Sequence, residues 1–275
     1  MKRKKDFSKD YSYSKLTLFS KCKKRYHFYY LDPEIAPIKK QFIKPRDYKT
    51  LGQAVHDAIT LFYHLPTKER TFTNLKKSLE EAWFSETKPE RKPPLGEDGG
   101  FSDLEHERKT YLRALKQLRN FFNLGDLDPN LFYLPTKNIK DSFDDYESLI
   151  KPLGPDFFIS GKFDRIDKLE DGTFKIIDFK TGRNNQDRFQ LDFYKLLAEL
   201  NFDLKVKTLS FYYLEKGKIK EFGVGDAEEG KIKETILGKI NTIENTKEFE
   251  PSPGYLCDHC DFKEICPIFK NKRIH

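Results

Sequence analysis

Long apolar runs are missing from this chain. No stretch of its 275 residues approaches the ~20 consecutive apolar residues that a membrane-spanning helix needs, and mean hydropathy is −0.74, so no membrane segment is expected. The basic start, MKRKKDFSKD, has no apolar segment behind it; no secretory leader is therefore expected, and the expected location is cytoplasmic. Internal repeats are absent. So is a G-x-x-x-x-G-K-[ST] phosphate loop, which excludes a built-in nucleotide-driven motor. Cysteine is scarce, with four residues, and methionine and tryptophan occur once each.

Aromatic and charged residues are abundant. The 25 Phe and 14 Tyr provide enough core material to exclude a disordered chain. Lys and Arg number 51 against 44 Asp and Glu, a net charge of +7, with basic runs at Lys2–Lys5, Lys21–Arg25 and Lys270–Arg273. Such a balance suits a polyanionic partner, or equally a solvated lysine-rich surface.

Hydrophobic spacing predicts a helix over 11–31, with Leu18, Cys22, Tyr26 and Tyr29 on one face. A second runs from Thr50, a suitable N-cap, to Leu65, with Leu51, Val55, Ile59 and Phe62 buried and His56 beside that stripe. Residues 70–85 read as helical, 88–100 as a loop. Asp103 is expected to cap a helix to Phe122, with Leu104, Tyr111, Leu115, Leu118 and Phe122 along its apolar face. Nothing in 66–150 suggests chemistry, and the stretch reads as a helical insertion or lid. Beyond it, 157–169 and 173–180 read as strands joined by the Asp171-Gly172 hairpin signal. A helix over 186–200, strands over 208–214 and 218–224, and a helix over 227–246 follow. Strands at the centre with helices around them indicate an α/β fold.

The chemistry concentrates in Gly161-Lys162-Phe163-Asp164 and Ile177-Asp178-Phe179-Lys180. Side chains alternate along a strand, so Ile177 and Phe179 anchor one face while Asp178 and Lys180 project from the other. Asp164, on the preceding strand, is able to approach the same point. Paired carboxylates beside an amine are what metal-assisted phosphodiester hydrolysis requires: hard oxygens for Mg²⁺ or Mn²⁺, and an ammonium to hold water or stabilise the transition state. A surface Asp–Lys pair on an edge strand is the plainer alternative. Spacing alone does not choose between Asp164 and Asp167.

The order of these segments resembles the PD-(D/E)xK nuclease superfamily, in particular its RecB-like branch, which includes the RecB and AddB nuclease domains, exonuclease V and CRISPR adaptation nucleases. Gly161-Lys162-Phe163-Asp164 resembles the G-x-x-D strand, Ile177-Asp178-Phe179-Lys180 the D-x-K core, Gln190-Leu191-Asp192-Phe193-Tyr194 the Q-x-x-x-Y helix, and His56 the upstream metal-ligating histidine. The resemblance implies one restriction-endonuclease-like domain over 1–275, with a central mixed β-sheet flanked by helices. It implies a metal site of His56, Asp164, Asp178 and the Phe179 carbonyl, catalysis by Asp164, Asp178 and Lys180, and DNA positioning by Gln190 and Tyr194. Asp167 is then expected to pair with Arg165 or Lys168. The implied substrate is single-stranded DNA or DNA ends, with a helicase or a CRISPR integrase as partner. A CRISPR adaptation nuclease that trims spacer precursors and a non-catalytic DNA-binding scaffold are the alternatives.

Cys257, Cys260 and Cys266 form a C-x2-C-x5-C group, with Cys22 far upstream. In a reducing compartment this reads as a metal site rather than a disulfide framework. Members of the same branch hold a 4Fe-4S cluster with this arrangement, which implies that residues 251–268 join Cys22 through such a cluster. A Zn²⁺ site of four cysteines, or of three with His259, is the competing reading.

Overall fold

A computed structural model describes residues 9–84, 95–135, 149–183, 187–225 and 229–270. In chain order the elements are β1 (Asp10–Ser12), α1 (Tyr13–Lys21), α2 (Lys23–Tyr30), α3 (Asp47–Tyr63), α4 (Phe72–Phe84), α5 (Leu104–Asn123), β2 (Leu131–Tyr133), β3 (Lys151–Pro152), β4 (Phe158–Ser160), β5 (Arg165–Lys168), β6 (Phe174–Lys180), α6 (Phe189–Phe202), β7 (Val206–Tyr213), β8 (Lys218–Gly223), α7 (Glu229–Glu244) and α8 (Pro267–Lys270). Helices and mixed sheets make this an α/β protein. No helix among the described residues is long and apolar enough to cross a membrane. The basic run Lys2–Lys5 lies outside the described residues, as does most of Lys270–Arg273.

The chain groups into two compact units: Met1–Lys44 with Pro152–Ser160 and Lys233–His275, and Pro45–Lys151 with Gly161–Ile232. The second unit carries a five-stranded sheet of order β2-β5-β6-β7-β8, antiparallel except for the parallel pair β6–β7. Gly172, at φ 79°, supplies the left-handed residue of the β5–β6 hairpin. Leu51, Val55, Ile59 and Phe62 of α3 pack in one core with Leu118 and Phe121 of α5 and with Ile177, Phe179 and Tyr212 of the sheet. One face of β6 is thereby committed to the core, and its alternate residues are left for the other face.

Helix α3 starts at Asp47, three residues before the expected cap. Thr50 does not cap it; its hydroxyl donates instead to the Gly99 carbonyl at 2.8 Å. Gly100, at φ 83°, lies against the helix start, where a Cβ would come within 2.5 Å of the Arg46 backbone. A tertiary contact has thus claimed the hydroxyl that local sequence offered as a cap.

Asp103 does cap α5, accepting from the His106 N–H at 2.8 Å. The buried stripe differs from the expected one, since Leu104 is 68% exposed and the polar Glu107 and Gln117 are buried. Glu107 accepts from Trp83 Nε1 at 3.2 Å and from the backbone N–H groups of Leu95 and Gly96 at 3.0 and 2.9 Å. Glu107→Ala would strand three donors, those of Trp83 and Leu95 being buried, and is expected to cost about 3 kcal/mol in urea unfolding.

The expected strand over 157–169 is interrupted. Its halves, β4 and β5, belong to different sheets, β4 pairing in parallel with β1 in a three-stranded sheet of order β1-β4-β3. The break begins at Gly161, where a Cβ would lie 3.0 Å from Leu197 Cδ2 and 3.3 Å from Tyr194 Cε1, so the backbone passes close against α6. The helix expected over 11–31 is also two helices, α1 and α2, divided at Cys22, whose backbone is extended (φ −163°, ψ 110°) and whose sulfur accepts from the Arg25 N–H.

Candidate active site

The antiparallel register pairs Arg165 with Ile177. One residue back from that pair, Asp164 therefore falls opposite Asp178, although it precedes β5 rather than lying on it. Its Oδ2 accepts from the Phe179 N–H at 2.7 Å, and its Oδ1 lies 2.9 Å from His56 Nδ1. His56 reaches it from α3, with its ring edge against Phe179, centroids 6.1 Å apart. This ties α3, the residue before β5 and the end of β6 to one carboxylate.

Asp178 faces α6. Its side chain is 6% exposed; Oδ1 accepts from Gln190 Nε2 at 3.0 Å, and Oδ2 lies 2.7 Å from Lys180 Nζ. The ammonium donates to Gln190 Oε1 at 2.7 Å, so Asp178, Lys180 and Gln190 close a ring. Gln190 Nε2 also contacts the Tyr194 hydroxyl at 3.3 Å, and the Tyr194 ring packs on Phe163, centroids 5.6 Å apart. Asp167 is turned elsewhere, taken by Arg165 Nη2 at 2.6 Å.

The two carboxylates titrate in opposite directions. For Asp178, burial and the neighbouring charge of Asp164 outweigh Lys180 and His56, and its pKa is pushed up to about 6. For Asp164, burial acts upward, but His56, the Phe179 N–H and Lys180 bring it below the ordinary carboxylate value. Burial acts to lower His56, yet Asp164 and Asp178 raise it to about 8. The site thus sets two carboxylates against an ammonium and an imidazolium, formal charges that balance near neutral pH.

The profile of the PD-(D/E)XK nuclease superfamily matches residues 10–267. The chain belongs to the PD-(D/E)XK nuclease superfamily. It is also similar to the Gene 69 protein of Mycobacterium phage L5, 30% identical over 106 residues, which span 36% of this chain and 36% of that relative. The match therefore covers only about a third of the relative's length. Membership makes phosphodiester hydrolysis the superfamily chemistry to set beside Asp164, Asp178 and Lys180, and nucleic acid its substrate class.

Divalent metal is typical of this superfamily, and the donor set here fits it. Asp178 Oδ2 is buried against the Lys180 ammonium, and a second carboxylate and an imidazole adjoin the pair. Hard oxygens with one borderline nitrogen suit Mg²⁺ or Mn²⁺. As positioned, no three His, Cys, Asp or Glu groups among the described residues gather at ion-holding distance. The carboxylate oxygens are turned to Lys180, Gln190, His56 and the Phe179 N–H instead.

The cysteines belong to the other unit. Cys22, Cys257, Cys260 and Cys266 all line one cavity of about 30 Å³, together with Phe28, Phe262 and Phe269. They too are not gathered at ligating distance. His259 ends the short 3-10 turn Tyr255–His259.

One contributor belongs to none of the sequence motifs. Gln117 of α5, fully buried, donates to the Thr181 carbonyl at 2.9 Å and to Glu215 Oε2 at 2.6 Å, and Arg113 Nε meets the same oxygen at 3.0 Å. The chain just past Lys180 is thereby braced from within the 66–150 stretch. A signal was available: Gln117 stands three residues from Ala114 and four from Phe121, on the buried face of the helix.

Proposed function

We propose that this chain is a divalent-metal-dependent deoxyribonuclease of the RecB-like kind, acting as an exonuclease on single-stranded DNA or DNA ends in repair, recombination or defence. The observation that carries this reading is the convergence of Asp164, Asp178, Lys180, His56 and Gln190 around the end of β6. Asp164, Asp178, the Phe179 carbonyl and His56 are the groups that would hold the ion. When bound, a divalent ion lowers the pKa of water and screens the scissile phosphate. Lys180, held by Gln190, donates to the attacking water, and Asp178 sets the ammonium's position. Attack at phosphorus breaks the P–O3′ bond: the water oxygen becomes part of the 5′-phosphate and gives up its proton to solvent, and the 3′-oxygen leaves as a hydroxyl after taking one from solvent. Tyr194 fixes Gln190, and contacts to the phosphates favour little sequence preference. A partner helicase supplies any unwinding.

End-labelled single- and double-stranded DNA, with Mg²⁺, Mn²⁺ or EDTA, tests this reading. Metal-dependent shortening is expected, falling at least about 100-fold in Lys180→Met, the scale of losing one aimed donor. Undiminished cleavage by Lys180→Met, or no cleavage with either metal, would overturn it.

A 4Fe-4S cluster on Cys22, Cys257, Cys260 and Cys266 completes the proposal, with Zn²⁺ as the alternative occupant. Its support is that all four thiols border one small cavity lined by aromatic rings. Around it, Tyr29 OH donates to Asp261 Oδ2 at 2.8 Å and Phe28 packs on Phe262, centroids 5.4 Å apart, so α2 and the cysteine segment are already pinned together. The role is structural. Anaerobically purified protein is expected to be brown and to contain iron; colourless, zinc-loaded protein would overturn the cluster.

A further inference from the structure

A cavity of about 440 Å³ lies in the same unit as the cysteines and plays no part in the site described above. Its size falls within the ~300–1,000 Å³ range of small-molecule pockets. Four tyrosines line it. Tyr11 comes from β1; Tyr26, Tyr29 and Tyr30 come from α2, where one turn separates Tyr26 from Tyr30. The Tyr26 and Tyr30 rings stand 5.0 Å apart and those of Tyr29 and Tyr30 5.9 Å apart, centre to centre.

Two ammonium groups share the Tyr30 ring. Lys15 Nζ is 4.8 Å from its centroid and Lys39 Nζ is 5.1 Å away. Lys39 is anchored on the Tyr29 carbonyl at 3.0 Å, and Lys15 on the Asp10 carbonyl. Burial lowers the Lys15 pKa; Asp10 opposes that, and the charge of Lys39 adds to it, so the two cations repel each other across the ring. Among the described residues lining the cavity, Glu244 is the one carboxylate, and the Tyr11 hydroxyl donates to it. Leu31, 47% exposed, stands among the lining residues and marks a side open to solvent.

Aromatic faces beside a surplus of positive charge recognise a planar ring that carries a phosphate. We propose that this cavity is a nucleotide subsite that takes one unstacked base of single-stranded DNA against Tyr29 and Tyr30, with its phosphate on Lys15 and Lys39. The assignment deepens the deoxyribonuclease reading and rests on it for the choice of DNA. The cavity sits where no residue of the proposed hydrolytic set contributes, so it holds a strand without cutting it.

The test uses the full chain carrying Asp178→Asn, so that DNA is bound but not degraded. Fluorescence anisotropy with a labelled oligothymidylate measures affinity, and a 4-thiothymidine oligonucleotide maps the contact by photocrosslinking. Adding Lys39→Glu is expected to weaken binding about 10-fold and to reduce the salt slope by about one phosphate contact. Tyr30→Leu weakens binding with less change in that slope. Crosslinks are expected on Tyr29 or Tyr30, and thymidine 5′-monophosphate is expected to compete better than inorganic phosphate. Unchanged affinity in both variants, each with its melting temperature retained, would overturn the subsite. Equal competition by inorganic phosphate would overturn it as well, since the rings would then read nothing. Failure of the nuclease reading looks different: the chain without substitutions leaves DNA intact, while the crosslinks and the Lys39 effect persist.

Discussion

Asp178→Asn is expected to lower metal-dependent DNA hydrolysis by roughly a thousandfold, on the scale of removing one transition-state electrostatic contact, and to leave the protein folded. The substitution keeps the side chain's shape. Gln190 Nε2 still finds an oxygen to donate to, and Lys180 keeps its bond to Gln190 Oε1. What disappears is the negative charge, the property a divalent ion needs from this position. Melting temperature without added metal is not expected to fall, because burial and the adjacent Asp164 already disfavour the ionised Asp178 carboxyl. Rates with Mg²⁺ and Mn²⁺, set beside thermal melts of the same preparations, separate the two effects. An Asp178→Asn protein that retains more than a tenth of the rate would remove Asp178 from the chemistry. Asp167→Asn supplies the contrast, since that carboxylate serves Arg165 and its loss is expected to move stability more than rate.

The alternation of Ile177, Asp178, Phe179 and Lys180 was readable because strand geometry leaves little choice. Once Ile177 and Phe179 are buried against α3 and α5, Asp178 and Lys180 must face the other way. Gln190 stands out in the sequence through the resemblance of Gln190–Tyr194 to the Q-x-x-x-Y helix, and the structure puts its amide on both Lys180 and Asp178. Strand reasoning was less secure for Asp164, since the strand breaks at Gly161, and it is the hairpin register that sets this residue opposite Asp178. At three places local sequence does not decide the outcome. Cys22 adopts an extended conformation in mid-pattern, which apolar spacing does not encode. Thr50 satisfies every rule for a cap and is used by Gly99 instead. The bracing of Thr181 by Gln117 joins residues 64 apart in sequence. For Thr50 and Gln117 the deciding contact comes from a partner remote in sequence.

Arg165→Met is expected to produce the largest loss of stability, about 3–5 kcal/mol at neutral pH. The guanidinium is fully buried; it donates to both Asp167 oxygens, to Asp126 and to the Tyr63 hydroxyl. Its carbon lies 4.9 Å from the Tyr63 ring centre, and the Tyr212 hydroxyl completes the set on Asp126 Oδ2 at 3.0 Å. Methionine matches the volume but leaves the Asp167 carboxylate buried and uncompensated. Against the ~5–15 kcal/mol that holds a typical domain together, a loss of that size brings the fold near its threshold. Urea midpoints should fall with little change in slope. The pH dependence has a definite sign. Burial, opposed by Arg165, already places the Asp167 pKa above its unfolded value, and without the guanidinium it moves higher still. A raised acid contributes stability below its unfolded pKa and loses it as pH rises through the folded one. The deficit of Arg165→Met is therefore expected to shrink at pH 4 and to be full at pH 7.5. Adding Asp167→Leu to Arg165→Met should restore much of the loss, because an apolar pair of similar volume replaces a buried ion pair at little cost, and Asp126, 27% exposed, remains hydrated. A double variant as unstable as Arg165→Met alone would show that Arg165 acts through Tyr63 and Asp126 rather than by compensating Asp167.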